Sequence, residues 1–144
     1  MVLDSCVFSK IFLQEPDHSE AVELIIELSQ RNVKVLVPSL FLYEVLSIAA
    51  ASSFSIKDAY VLIAQYQSAN LKVVELDKKT ILKAIEICAH GHEKSGFPSF
   101  YDASYHALAI TKECHFITAD KRHVAKAKTF GHVSLLNNWK CVFK

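Results

Sequence analysis

Glycine and proline are scarce, at three of each in 144 residues. A turn-rich all-β design needs more of both, and a disordered chain would not be 51% hydrophobic. No charge of one sign dominates either: sixteen Lys and Arg offset fifteen Asp and Glu, for a net +1. A strong global basic field is excluded, so any nucleic-acid surface must come from local clustering. Long apolar runs are also missing. None reaches about 18 residues without a charge or proline, which leaves no transmembrane helix and no membrane partner. The opening MVLDSCVF has no basic stretch ahead of an apolar core and does not read as a signal peptide. Closely spaced cysteine pairs are absent. Cys6, Cys88, Cys114 and Cys141 lie far apart, which fits free thiols in a reducing, cytoplasmic setting better than a disulfide framework or zinc knuckle. Cys88, His90 and His92 in CAHGHEK read as a helix end near Gly91 and Gly96 rather than a metal site, because no fourth ligand has zinc spacing.

The length fits one domain over residues 1–144, large enough for a proper core. Short, continuously apolar runs alternate with helical patterns. Strands are expected at 1–3, 34–37, 71–76 and 115–118, with a fifth at 132–136. Helices are expected at about 5–13, 17–31, 39–50, 56–67, 77–93, 100–112 and 120–128. Asp17 and Glu20 form a capping-box pattern, and Asp77 caps the fifth helix. This alternation predicts an α/β fold around a central, mostly parallel sheet of four to five short strands flanked by helices. Ligand sites in such folds gather at the carboxyl ends of the strands.

Four of the fifteen acids sit in apolar settings. Asp4 ends the strand MVL. Glu44 interrupts LFLYEVLSIAA. Asp102 lies in FYDASYHALAI, and Asp120 follows FIT with only Ala119 between. Three of them have an ordinary alternative: Asp4 and Asp120 as helix N-caps, and Ser99 with Asp102 as a capping box. Glu44 lies past the first turn of its helix, where the alternative is a solvent-facing polar stripe with Ser47. If the four meet, their like charges are unfavourable without a cation. A hard divalent ion such as Mg²⁺ or Mn²⁺ prefers oxygen ligands, activates water and stabilises charge developing on a phosphate. An acidic cleft of this kind points to phosphodiester hydrolysis.

VLDSC at 2–6, PSLFLYEV at 38–45, FYDASYHALA at 100–109 and FITADKR at 116–122 resemble the acidic motifs of PIN-domain nucleases, and most closely those of VapC-type toxins. The resemblance spans nearly the whole chain. It implies a three-layer PIN-like fold, with Asp4, Glu44, Asp102 and Asp120 as metal-binding acids and Thr118 orienting the site through its hydroxyl. It further implies an endoribonuclease using Mg²⁺ or Mn²⁺, a homodimer, and a small antitoxin whose C-terminal segment lies over the cleft. Position 6 departs from the pattern: Cys6 stands where the family more often carries a small polar residue.

Lys121 and Arg122, directly after Asp120, are candidates for RNA phosphates, and Lys10 is a further candidate neighbour. Lys126 and Lys128 fit a solvated cationic face equally well. Phe41, Tyr43, Phe100, Tyr101 and Tyr105 fit core or dimer packing better than base stacking. Two other PIN-type readings remain: a non-toxin nuclease in RNA processing, and a catalytically silent interaction module. A haloacid-dehalogenase-type phosphatase would want an acid at position 6, and a receiver-like domain would want adjacent acids near the first strand. Neither pattern is present.

Overall fold

Val2–Leu3 is only two residues long, yet this strand, β1, is the centre of the sheet. Both residues are fully or almost fully buried. The structure, a computed structural model, describes residues 1–91, 93–94 and 96–143. The remaining strands are β2 (Val35–Pro38), β3 (Leu71–Val74), β4 (Phe116–Thr118) and β5 (Val133–Leu135). They form one sheet in the order β3-β2-β1-β4-β5, with every pairing parallel. Val2 stands opposite Leu36 on one side and Phe116 on the other.

The helices are α1 (Ser5–Ser9), α2 (His18–Gln30), α3 (Leu40–Ala51), α4 (Ile56–Ala69), α5 (Lys78–Ala89), α6 (Phe100–Thr111) and α7 (Lys121–Ala127). A 3₁₀ turn at Lys128–Phe130 follows α7, and a 3₁₀ run, Leu136–Phe143, ends the described chain. Helix spacing explains the packing. On α2, Ala21, Leu24, Ile25 and Leu28 recur at helical period and are buried. The main core gathers these residues with the strands and with Phe8, whose ring meets Phe41 and Tyr66 edge-on at 5.2 and 5.3 Å. A second cluster is built largely of small side chains (Ala84, Ala103, Ala107 and Ala127 with Ile87), so α5, α6 and α7 approach closely.

The expected α/β fold with a parallel sheet is present, with five strands. Two local expectations differ. The first helix ends at Ser9 rather than near residue 13, and Asp17 does not cap α2 through its side chain. The second has a local cause. The Lys10 ammonium reaches down to Glu15, and to Asp17 at 2.8 Å, so the Asp17 carboxylate serves an ion pair instead of a cap. His92 of the CAHGHEK segment lies outside the described residues. Among the described residues no helix is long and apolar enough to cross a membrane.

Strand order fixes where a site can form. From β1 the chain winds outward one way through β2 and β3, and the other way through β4 and β5. The winding reverses between β1 and β4, and a crevice opens at the carboxyl ends of strands at such a switch point. Asp4 directly follows β1, while Thr118 ends β4 two residues before Asp120.

Candidate active site

Asp4 is 5% exposed and caps α1, its Oδ1 accepting the Cys6 backbone N–H at 3.2 Å. Its Oδ2 accepts the Thr118 hydroxyl at 2.5 Å. The same hydroxyl oxygen accepts the Asp120 backbone N–H at 2.9 Å. Thr118 therefore locks the two strand-end acids into one register. It is fully buried, so neither bond competes with water.

Asp120 caps α7, with Oδ1 accepting the backbone N–H groups of Arg122 at 2.7 Å and His123 at 3.2 Å. Ser99 caps α6, and Asp102 answers through the Ser99 hydroxyl rather than through the backbone N–H of a full capping box. Ser99 Oγ accepts the Asp102 N–H at 3.1 Å and donates to Asp102 Oδ2 at 2.6 Å. A cap aims the carboxylate by fixing one oxygen on the helix end, and among the described residues the second oxygen of Asp102 and of Asp120 carries no hydrogen bond.

Glu44 is not a freely solvated stripe residue, although it shares one helix side with the exposed Ser47. It is half-buried and accepts the hydroxyl of Tyr105, which α6 holds 1% exposed and stacked on Phe116 at 5.7 Å. The Ser5 hydroxyl donates to Asp4 Oδ1 at 3.4 Å.

The electrostatics show which acids feel one another. Burial pushes Asp4 above the usual aspartate range, and the negative charge of Asp102 adds to this against the hydrogen bonds from Thr118 and Cys6. Burial likewise raises Glu44, with the charges of Asp4 and Asp102 adding to it. Asp102 is raised by burial and by Asp120, while the nearby Lys126 ammonium opposes the rise. All four acids are linked by mutual repulsion, as expected of carboxylates around a shared cleft.

Among the described residues, no three His, Cys, Asp or Glu side chains are already drawn together as a metal cage. A hard cation that keeps several of its own waters needs no such cage, and one or two carboxylates suffice to hold it. The donors here are oxygens with uncompensated negative charge, which fits Mg²⁺ or Mn²⁺ and does not fit a soft metal. Cys6 does not alter that chemistry. Its thiol lies 3.9 Å from Thr118 Oγ1, and burial together with the charge of Asp4 pushes it up, so it stays protonated. What position 6 contributes is its backbone N–H.

The basic candidates separate. Lys121 and Arg122 are exposed at the start of α7, beside Asp120. Lys10 is 8% exposed and paired with Glu15 and Asp17, so its charge is already matched within the fold. It is not an open cation for a phosphate, a correction to the expectation from sequence. The aromatics separate too: Phe41 and Tyr105 are core residues, while Tyr43, Phe100 and Tyr101 are exposed.

Two residues on the site helices escaped the sequence, His106 and His123, and Tyr105 was legible there only as packing. The two histidines are buried and joined. His106 Nε2 donates to the Gly131 carbonyl at 2.6 Å, so its Nδ1 accepts from His123 Nε2 at 3.1 Å. Burial pushes both down to about 4, keeping them neutral. Their signal was a titratable ring one helical turn after Asp102 and Asp120, in YDASYHA and ADKRHVA.

No curated protein sequence matches the chain. Solved structures share its fold. The Mycobacterium tuberculosis VapC20 structure, described as a sarcin–ricin-loop-cleaving toxin, superposes with a TM-score of 0.68 at 17% identity, covering 86% of this chain and 92% of that one. VapBC2 from Rickettsia felis, bound to a DNA fragment from its promoter, gives 0.67 at 15% identity over 93% and 95%. FitAcB from Neisseria gonorrhoeae gives 0.63 at 16% identity over 96% and 97%. The family model of the PIN domain matches residues 1–129, and the chain belongs to that family.

Proposed function

We propose that this PIN domain is a Mg²⁺- or Mn²⁺-dependent endoribonuclease and acts as the toxin of a type II toxin–antitoxin pair. One observation carries the reading: at the switch point of the sheet burial pushes up Asp4, Glu44 and Asp102, and the charge of Asp102 adds to the rise of Asp4 and Glu44 while that of Asp120 adds to the rise of Asp102. That arrangement is costly unless a cation offsets it. The toxin neighbours, one of them described as cleaving the sarcin–ricin loop, support the choice of RNA and of a toxin role.

Asp4, Glu44, Asp102 and Asp120 would hold the ion. When bound, it supplies positive charge for the scissile phosphate and lowers the pKa of a coordinated water. The protein's own part is positional. Thr118 and the Cys6 N–H fix both oxygens of Asp4. Ser99 and the α7 N-terminus each fix one oxygen of Asp102 and Asp120. Tyr105 keeps its proton, since burial and the Glu44 charge push it up, and so donates steadily to Glu44. Lys121 and Arg122 stand beside Asp120 to receive flanking phosphates.

A small antitoxin covering the acidic cleft, and pairing with a second copy of the chain, complete the reading. The exposed row of Ile56, Tyr60 and Val61 on α4 is suited to self-association. The four free cysteines are compatible with a reducing cytoplasm.

The test is cleavage of generic single-stranded RNA. Cleavage should require Mg²⁺ or Mn²⁺, stop in EDTA, and be lost in Asp4→Asn and Asp102→Asn. Cleavage that survives EDTA or both substitutions would overturn the proposal. A strict monomer by light scattering at micromolar concentration would overturn the dimer.

A further inference from the structure

We propose that Tyr43 and Tyr101 form a base-stacking platform, taking nucleobases of an unpaired RNA strand that flank the phosphate held at the acids. This rests on the nuclease reading above and adds the form of its substrate.

Tyr43 is 71% exposed and Tyr101 64%. Singly exposed aromatics are common on protein surfaces and mean little. What distinguishes this pair is where they converge: both line one open groove of about 580 Å³ whose wall also includes Glu44 and Ser5, the residue whose hydroxyl donates to Asp4. The groove and the acid site are therefore continuous, sharing a carboxylate.

The sequence repeats the arrangement. Tyr43 directly precedes Glu44 on α3, and Tyr101 directly precedes Asp102 on α6. Neighbouring helical residues point about 100° apart, so each tyrosine stands beside its acid rather than over it. A nucleotide has the same two-part shape, with a charged phosphate next to a flat, uncharged base. A base can enter beside the carboxylates without adding repulsion, whereas its phosphate needs the cation. Tyr105 is also on α6, but it is buried with its hydroxyl committed to Glu44 and cannot stack on a ligand.

The groove wall joins the two ring faces and the apolar side chains of Leu40 and Ile48 to Ser5, Ser47 and the Glu44 carboxylate. Ring faces hold any base, and hydroxyls reach base edges. The Glu44 carboxylate, shared between this wall and the acids, favours RNA over an apolar protein segment. Stacking also calls for a single-stranded or looped substrate, because bases stacked in a duplex have no free face to offer.

The experiment uses a short, unstructured oligoribonucleotide carrying 2-aminopurine, with Ca²⁺ as the divalent ion and the oligomer checked for integrity. The unaltered protein should bind it and quench the fluorescence. Tyr43→Ala and Tyr101→Ala should each weaken binding roughly tenfold and lose quenching, while Tyr43→Phe and Tyr101→Phe keep the quench. An abasic site in place of the base should weaken the unaltered protein but not weaken the Ala variants further. In Mg²⁺, the loss should fall mainly in KM. Both side chains are largely exposed, so truncation opens no core cavity; circular dichroism checks this.

If the Ala variants bind and quench like the parent while metal-dependent cleavage persists, the nuclease reading stands and the platform is overturned. If the unaltered protein neither binds nor cleaves RNA with any divalent ion, the nuclease reading itself fails. If the Ala variants change oligomeric state or antitoxin binding but not RNA binding, the groove belongs to a protein partner, and the proposal is overturned.

Discussion

Thr118 donates its hydroxyl to Asp4 Oδ2 at 2.5 Å across 114 positions of sequence, and accepts the Asp120 N–H with the same oxygen. One buried hydroxyl therefore aligns the acids that follow β1 and β4. Thr118→Val keeps the branched shape but removes both bonds. It should lower divalent-ion affinity and cleavage about ten- to a hundredfold, the usual effect of losing a group that orients a ligand. It should also cost stability, since the Asp120 N–H is left without an acceptor. Thr118→Ser should recover most of both. Ion titration calorimetry checks the first effect and thermal unfolding the second.

Glu44→Gln separates charge from shape. The amide oxygen can still accept the Tyr105 hydroxyl, so the α3–α6 contact survives. Since burial disfavours the Glu44 charge, neutralising it should hold or raise the unfolding temperature in chelator. Metal-dependent cleavage should fall at least about tenfold. Parallel melts in EDTA and single-turnover cleavage decide the matter.

The raised acids link stability to the ion. Asp4, Glu44 and Asp102 sit above their ordinary values of 3.8, 4.5 and 3.8. A carboxyl raised in the folded state favours folding while protonated and loses that contribution as pH climbs through its raised value. At neutral pH, without a cation, the three ionised groups therefore work against the fold. Mg²⁺ or Mn²⁺ should raise the unfolding temperature at pH 7.5. Asp102→Asn should be more stable than the parent in EDTA and should gain less from the ion. Scanning calorimetry with and without the ion measures both.

His106 and His123 act in the opposite direction. Each is held at about 4 against an ordinary 6.5, so its contribution is complete above 6.5 and is lost as pH falls toward 4. The loss reaches about 3 kcal/mol per histidine, partly offset in the same range by protonation of the acids. His123→Gln, which cannot charge, should flatten the acid limb of a urea-stability profile between those values. An unchanged limb would show that the pair does not govern it.

Lys10 and the α7 cations should behave differently in salt. Lys121→Ala and Arg122→Ala should each lower the slope of RNA affinity against salt concentration by about one. Lys10→Met should leave the slope alone and reduce stability by up to about 1 kcal/mol, because its partners Glu15 and Asp17 are half-exposed and screened.

The strands were legible because VL, VLVP, LKVV and FIT are short, apolar and separated by helical periods, the pattern of strands covered on both faces. The C-terminal 3₁₀ run was not, although Leu136, Trp139 and Phe143 recur at helical spacing, because the stretch is short and is ordered by burial of Leu136 and Trp139. Asp17 shows how tertiary contact overrides a local rule: a sound capping pattern lost its carboxylate to Lys10. The acids were legible because Glu44 had no local excuse. Their partners were hidden, because Tyr105, His106 and His123 look like core residues until the fold places them beside the acids. Whether Tyr43 faced the core or a groove could not be read from LFLYEVLSIAA, where apolar residues occupy nearly every face of the helix.

Manganese binding goes straight to the central assignment. Free Mn²⁺ gives a paramagnetic resonance signal that collapses when the ion enters a carboxylate site. Titrated at pH 7.5, the unaltered protein should remove the signal saturably, Mg²⁺ should compete it back, and a protein carrying both Asp4→Asn and Asp102→Asn should leave it untouched. Equal binding by that double variant, or no saturable binding by the unaltered protein, would contradict the assignment of these acids to a metal site.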